Sequence, residues 1–244
     1  KENGVGMLMD ESLNNIFEQN SFFENAAREI IGEHGAGGFI TRNGEGNSFI
    51  ENHFDKNPQA LSEVIKNGIL IKKKVCDLSS GLAGVHGFYA QNERSLKLTG
   101  NFADCNRGGS GFYILSSSDV EIKENDAKEN FYNGFSLDPG AANKLSAYVE
   151  GNEANKNNVF GFSVAGDVTL KTNRAKNNYQ ADFKIISALD ALDNAACSPI
   201  IDKPTSNFGF KVTQINGEAK GNICNPKQCN YGEYSKDFCV PIAG

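Results

Sequence analysis

Short stretches of alternating apolar and polar residues recur along the chain, and each of them ends at an asparagine. They read LKLTGN (96–101), VEIKEN (120–125), AYVEGN (147–152) and VTLKTN (168–173). Alternation with a period of two predicts a short, half-buried β-strand. A helix is excluded, because asparagine, glycine and β-branched residues interrupt these segments every few positions.

Each asparagine also opens a longer repeat, Asn-x-(Ala/Phe)-x-x-Asn, followed in most copies by Gly-Phe-x-aliphatic. The copies are Asn20–Asn25, Asn52–Asn57, Asn101–Asn106, Asn125–Asn130, Asn152–Asn157 and Asn173–Asn178, with a degenerate one at Gly217–Asn222. From Phe88 to Phe210 the phenylalanines of the second motif are spaced by 24, 23, 27, 21 and 27 residues. A repeat of this length indicates a solenoid.

The repeat unit predicts an all-β fold with three short strands per rung. One strand precedes the first asparagine, one carries the small alanine, and one begins at Gly-Phe. About eight rungs of 21–27 residues would stack at roughly 4.8 Å, so equivalent residues lie above one another. Asparagine is expected to take a left-handed backbone at the bend and to pair with its neighbours, and glycine to allow the corner.

These asparagine bends resemble those of the right-handed parallel β-helix in the pectate-lyase-like superfamily. The resemblance covers residues 1–222, which we interpret as one single-stranded β-helix domain. The chain opens with KEN, a motif ending that returns at 128–130, so it is expected to begin inside a rung, where further protein would stack on the N-terminal end. Two segments interrupt the pattern: residues 58–65 are interpreted as a short helical turn and 187–208 as an insertion.

Cysteine usage and charge narrow the class of protein. The six cysteines fit disulfides and a secreted or cell-surface protein, and three of them lie in residues 223–244, which we interpret as a disulfide-stapled tail. The CxxxxC spacing there is not that of a zinc ribbon, so no metal site is expected. A net charge of −6 argues against nucleic acid as a partner. No apolar run approaches the roughly 18 residues of a membrane span.

In the superfamily that the chain resembles, carbohydrate binds along the strand that here begins at Gly-Phe. Phenylalanine and the aliphatic residue of that strand point inwards, so the residue between them points out. The outward column is predicted to hold Tyr89, Tyr113, Ser136, Ser163, Lys184 and Lys211, with Gln91, Leu115 and Asp138 in the column beside it. We predict that Tyr89, Gln91, Tyr113 and Ser136 bind a polysaccharide, because flat rings stack on sugar faces.

The same face is a candidate for catalysis by Asp138 with Arg107, Lys72 or His86. A lyase of the superfamily needs an Arg or Lys base and neutralises the uronate with Ca²⁺ or a cation, so Ca²⁺ is the one cofactor considered. Mannuronan C5-epimerases of this fold carry Tyr-Gly-x-Asp-Pro-His-Asp. This chain keeps Asp138-Pro139 but lacks the following His and Asp, and Asp-Pro is interpreted first as a turn.

Three functions follow from these patterns. The first is an extracellular module that binds polysaccharide, the second is a rod within a larger surface assembly, and the third is a lyase or C5-epimerase acting on a polyuronate. A hydrolase is disfavoured, since it needs a pair of carboxylates and only Asp138 falls on this face.

Overall fold

The computed structural model describes residues 6–22, 37–55, 63–66, 69–72, 86–141, 144–196, 208–224, 229–230 and 239–241. Within these ranges the strands, numbered along the chain, are β1 (Met7–Asp10), β2 (Ile16–Glu18), β3 (Gly37–Arg42), β4 (Ser48–Ile50), β5 (Glu63–Lys66), β6 (Ile69–Lys72), β7 (His86–Gln91), β8 (Lys97–Thr99), β9 (Phe112–Leu115), β10 (Val120–Lys123), β11 (Asp126–Lys128), β12 (Phe135–Asp138), β13 (Ser146–Glu150), β14 (Glu153–Asn155), β15 (Phe160–Val164), β16 (Asp167–Lys171), β17 (Arg174–Lys176), β18 (Ala181–Ile185), β19 (Asp190–Leu192), β20 (Ala195–Ala196), β21 (Phe208–Val212), β22 (Ala219–Lys220), β23 (Asn222–Cys224), β24 (Cys229–Asn230) and β25 (Cys239–Pro241). In the part of the chain so described, no helix is long and apolar enough to cross a membrane.

Three parallel sheets run the length of a right-handed coil. The first sheet has the order β1-β3-β7-β9-β12-β15-β18-β21-β24, the second β2-β4-β8-β10-β13-β16-β19-β22, and the third β11-β14-β17-β20-β23-β25. Isolated parallel bridges extend the third sheet through Ser21, His53 and Phe102 to Asp126. Strands β5 and β6 form a separate antiparallel hairpin.

The rung that spans residues 120–138 confirms the predicted unit of three strands. β10 precedes Asn125, β11 carries the buried Ala127, and β12 follows Gly134. β24 and β25 pair in parallel with β21 and β23, so the described part of the 223–244 tail adds to two of the sheets.

Phenylalanines of the first sheet fill the coil as a continuous stack. Consecutive ring centroids from Phe112 through Phe135, Phe162 and Phe183 to Phe210 are 5.0, 4.8, 4.9 and 4.7 Å apart, with interplanar angles of 12° or less. All five side chains are fully buried. The spacing equals one rung, so the stack is a direct consequence of the parallel register.

Buried asparagines form ladders at the bends. Asn125 is typical: its Oδ1 accepts from the backbone N–H and Nδ2 of Asn101 at 2.8 and 2.9 Å, and its own Nδ2 donates to Asn152 Oδ1 at 3.0 Å and to the Leu98 carbonyl at 2.9 Å. The ladder between the second and third sheets consists of Asn20, Asn52, Asn101, Asn125, Asn152, Asn173, Asn194 and Asn222. A second ladder, between the third sheet and the first, includes Asn106, Asn130, Asn157 and Asn178, and Asn178 Nδ2 donates to Asp182 Oδ1.

The left-handed residue at each bend is not the ladder asparagine, as the sequence suggested, but the residue before it. Glu124, Glu129 and Lys156 have φ of 54°, 53° and 55°. The asparagine side chain must point into the coil to make its bonds, so the preceding residue, whose side chain faces solvent, takes the strained geometry. The prediction for the bend was wrong by one residue.

The glycines of the Gly-Phe motif are needed for close packing rather than for a left-handed corner. A Cβ on Gly161 would lie 2.5 Å from the Asp182 carbonyl oxygen and 2.7 Å from Asn178 Nδ2. Any side chain there would displace the next rung and its ladder. Contact with the neighbouring rung therefore excludes any residue larger than glycine at this position.

Two segments depart from the predicted repeat. Asn194 belongs to the first ladder, so residues 190–196 form a regular part of a rung within the predicted insertion. The degenerate copy was misaligned, because Asn222, not Gly217, takes the ladder position. The predicted helical turn at 58–65 is wrong for Glu63 to Ile65, which form strand β5, and its first residues lie outside the described ranges.

Acidic residues gather on the outer face of the third sheet. The Asp104 backbone N–H donates to Asp55 Oδ1 at 2.9 Å, and Asp104 Oδ1 accepts from the Lys128 N–H at 2.9 Å. Burial, and then the charge of Asp55, raise the pKa of Asp104 to about 7. Asp126 also faces Asp104 and has a raised pKa, which burial causes first.

The raised pKa of Asp104 predicts that stability falls as the pH rises. From about pH 4 to 7 the native state holds a proton on Asp104 that the unfolded chain has lost, so the free energy of unfolding declines with pH in this window. The slope has an upper limit of about 1.4 kcal/mol per pH unit for one group. Asp104→Asn should flatten it, and denaturant unfolding at several pH values measures this. Asp119→Asn, at an exposed aspartate, is the control; equal slopes in the wild type and Asp104→Asn contradict the assignment.

Candidate functional site

The register of the first sheet brings together the two outward columns that the sequence predicted. Tyr89 is opposite Tyr113 on adjacent strands, and Tyr113 is opposite Ser136. In the second column Gln91 is opposite Leu115, which is opposite Asp138. These strands are β7, β9 and β12, three consecutive rungs of the coil.

Tyr89 points out of the coil but is buried, with 1% of its surface exposed. It packs in a cluster with Ile40, Leu115 and the half-buried Tyr113. Its hydroxyl donates to Gln91 Oε1 at 3.1 Å, and burial raises its pKa above the ordinary value. The expectation of an open Tyr89 ring is wrong, since the ring is almost fully buried and Ile40 is opposite it on β3. Its position instead supports Tyr113.

Tyr113 contacts groups from the rungs on both sides. Its hydroxyl donates to Asp138 Oδ2 at 3.3 Å, and its ring centroid lies 4.7 Å from that of His86 and 5.5 Å from that of Tyr89. Burial, and then the Asp138 charge, raise the pKa of Tyr113 to about 12. The phenol therefore keeps its proton at neutral pH and acts as a hydrogen-bond donor.

His86 and Asp138 are each oriented by the backbone. His86 Nδ1 accepts from the Ser110 N–H at 3.0 Å, which places the proton of the neutral ring on Nε2. Asp138 Oδ1 accepts from the Gly140 N–H at 2.8 Å, a bond that closes the predicted Asp-Pro turn. We call His86, Tyr113 and Asp138 the first-sheet cluster. It places a tyrosine ring between an imidazole and a carboxylate on one partly exposed face.

The sequence comparisons agree with this architecture. Residues 37–195 match the family described as the right-handed beta helix region. The chain belongs to this family. No curated protein matched the sequence.

Two solved structures resemble this β-helix protein. The periplasmic alginate epimerase AlgG is 15% identical with a TM-score of 0.52, and the match covers 83% of this chain and 45% of that one. The Dettilon tailspike protein is 11% identical with a TM-score of 0.43, covering 89% of this chain and 54% of the other. The chain thus spans about half the length of each. At these identities the likeness concerns the fold.

The structure places the other predicted site residues of the β-helix around this cluster. Ser136 is partly exposed, and its Oγ accepts from Asn133 Nδ2 at 3.4 Å. Arg107 lies in the turn before β9 and is only 3% exposed, so its guanidinium does not form part of the open surface. Lys72 ends the β5–β6 hairpin, and its side chain lies outside the described residues. The catalytic roles of Asp138, Arg107, Lys72 and His86 stay predictions.

Sequence reasoning missed one residue of the face, Arg42. It is opposite Gln91 in the second column, and its charge acts on the Tyr89 hydroxyl. The signal was present, because Gly38-Phe39 is an early copy of the repeat and Arg42 stands three residues after Phe39, as Asp138 does after Phe135.

The described residues contain no group of three or more His, Cys, Asp or Glu side chains arranged to hold a metal ion. The Ca²⁺ considered for a lyase therefore finds no cage in the described residues of this face. Carboxylate oxygens are the ligands that Ca²⁺ requires in number, and Asp138 supplies the one carboxylate of the first-sheet cluster.

Proposed function

We propose that this β-helix protein binds a polysaccharide along its first sheet, with Tyr113 as the aromatic contact. The observation that carries the proposal is the first-sheet cluster, in which one tyrosine ring is flanked by an imidazole ring and a carboxylate. Carbohydrate sites combine these elements, since the ring packs on C–H groups while polar atoms select hydroxyls. Tyr89, whose hydroxyl donates to Gln91, packs beside Tyr113 on the adjacent strand.

The column beyond Tyr113 supports an acidic glycan. Ser136 and Ser163 follow on the next rungs, and then Lys184 and Lys211, all paired in register. Lys184 Nζ lies 5.0 Å from the centroid of the Phe160 ring, which holds the cation at the face. A glycan lying along the coil axis would meet the ring first, hydroxyls next and cations last. We therefore propose a polyuronate as the ligand class.

Binding fits the cluster better than catalysis does. Asp138 accepts bonds on both oxygens, Tyr113 holds its proton to high pH, and His86 uses its acceptor nitrogen for the Ser110 N–H. Each group is thereby committed as a donor or a fixed acceptor rather than poised as a general base. A lyase or C5-epimerase on a polyuronate is the second candidate, supported by three titratable groups in contact on one face.

A secreted or cell-surface location is part of the proposal. Cys105 is disulfide-bonded in the structure, and disulfides persist in oxidising compartments. A glycan partner outside the cell is consistent with that location.

Calorimetric titration with alginate, polygalacturonate and neutral dextran tests the proposal. We expect binding of at least one polyuronate, weakened by salt because lysines contribute, and weaker or no binding of dextran. Absorbance of the unsaturated product, followed in the same mixtures, reports a lyase. Failure to bind either polyuronate contradicts the proposal and leaves the rod as the function.

A further inference from the structure

An open cavity lies on a different side of the coil from the first-sheet cluster, at the bend between the second and third sheets. It measures about 580 Å³ and is lined by Glu51, Gly100 and Glu124 from the bend and by His53 and Phe102 from the third sheet. This volume is within the range of roughly 300–1,000 Å³ that small-molecule sites occupy. None of these residues belongs to the first-sheet cluster.

One of the rungs that line the cavity lacks a side chain at the bend. Gln19, Glu51, Gly100 and Glu124 occupy equivalent positions in successive rungs, with φ of 55°, 52°, 65° and 54°. Their backbones follow the same path, so only the side chains differ. Gly100 leaves a gap between two glutamates, and Gln19 Nε2 donates to Glu51 Oε2 at 2.9 Å, which holds one wall in place.

An aromatic surface forms the floor of the gap. The Phe102 side chain is 38% exposed and stacks on His53, with ring centroids 4.8 Å apart and an interplanar angle of 13°. His53 is held by Asp55, whose Oδ2 lies 3.3 Å from Nδ1. An exposed phenylalanine fixed beside a cavity is suited to the C–H face of a sugar or to a cation.

We propose that this cavity binds an amino sugar. The ammonium group lies between the Glu51 and Glu124 carboxylates, and the sugar ring packs on Phe102. Both glutamates are exposed at the rim, and the chain carries a net charge of −6, so the cavity attracts a cation. The proposal is independent of polyuronate binding on the first sheet.

Titration with D-glucosamine, observed by NMR and calorimetry, tests the cavity, with N-acetylglucosamine and glucuronate as the neutral and anionic comparisons. We expect glucosamine to bind and to shift the signals of residues around Phe102. Glu51→Gln and Glu124→Gln should each weaken binding by at least about fivefold, because the charge is lost while the shape is kept. Equal affinity for glucosamine and N-acetylglucosamine, or no binding of glucosamine, overturns the proposal.

Filling the gap provides a second test. Gly100→Asn places a side chain in the cavity at a left-handed position that asparagine tolerates. Gly151→Asn is the matched control, because Gly151 has φ of 66° at the equivalent bend, and its side chain would meet Glu124 Cγ from the rung beyond the cavity without entering it. Glucosamine binding should fall at least about tenfold in Gly100→Asn and not in Gly151→Asn. Equal binding by both variants contradicts the assignment.

Discussion

Replacing Asn130 with aspartate is expected to lower the free energy of unfolding by on the order of 3–5 kcal/mol. Asn130 is fully buried in the second ladder. Its Nδ2 donates to the Ala103 carbonyl and to Asn157 Oδ1, both at 2.9 Å. The substitution puts a carboxylate oxygen against these two acceptors, so two bonds become repulsions and a charge is buried without a cation.

Denaturant unfolding of the wild type and Asn130→Asp measures this effect at several pH values. The difference should narrow at acid pH, because a protonated carboxyl again donates a hydrogen towards Asn157. Asn92→Asp is the control, since Asn92 is exposed and makes its side-chain bond to Asn43 at the surface. If Asn130→Asp unfolds at the same denaturant concentration as Asn92→Asp at neutral pH, the ladder does not stabilise the coil as described.

Removing the ring of Tyr113 is expected to weaken binding of alginate or polygalacturonate roughly ten- to hundredfold. Tyr113→Ala deletes the aromatic contact and leaves the Asp138 Oδ2 without its 3.3 Å donor. Tyr113→Phe keeps the ring, so it should retain most of the affinity. Calorimetric titration with whichever polyuronate binds the wild type gives the two affinities.

A tyrosine on another sheet distinguishes a local effect from a general one. Tyr148 points outwards on β13 of the second sheet, where Lys123 Nζ lies 5.4 Å from its ring centroid. Tyr148→Ala should leave polyuronate binding unchanged. If it weakens binding as much as Tyr113→Ala, the glycan does not lie on the first sheet.

The coil was predictable from sequence because its determinants are periodic. Alternation fixed which residues of a strand face inwards, and the asparagine spacing aligned the rungs, so the pairing of Tyr113 with Ser136 followed directly. Asn194 escaped detection because its rung lacks the second asparagine of the motif. A search for the repeat does not find a rung in which one of the two motif asparagines is replaced.

The surface chemistry was less predictable because it depends on neighbours from different rungs. Tyr89 has the same predicted outward position as Tyr113, yet only 1% of its surface is exposed while Tyr113 is half-buried. The cavity at Gly100 likewise lies where a side chain is missing between two long ones. Such features follow from side-chain volumes in three dimensions rather than from any single motif.

The parallel register brings residues that are far apart in the sequence into ion pairs on the surface. Lys156 contacts Glu129, Lys176 contacts Glu153 and Lys171 contacts Glu150, in each case across one rung rather than along the chain. Surface ion pairs therefore join equivalent positions of neighbouring rungs as well as residues two positions apart on one strand, such as Lys220 and Glu218. Because residues at equivalent positions of neighbouring rungs are in contact, a substitution at one of them is expected to be compensated on the rung before or after it.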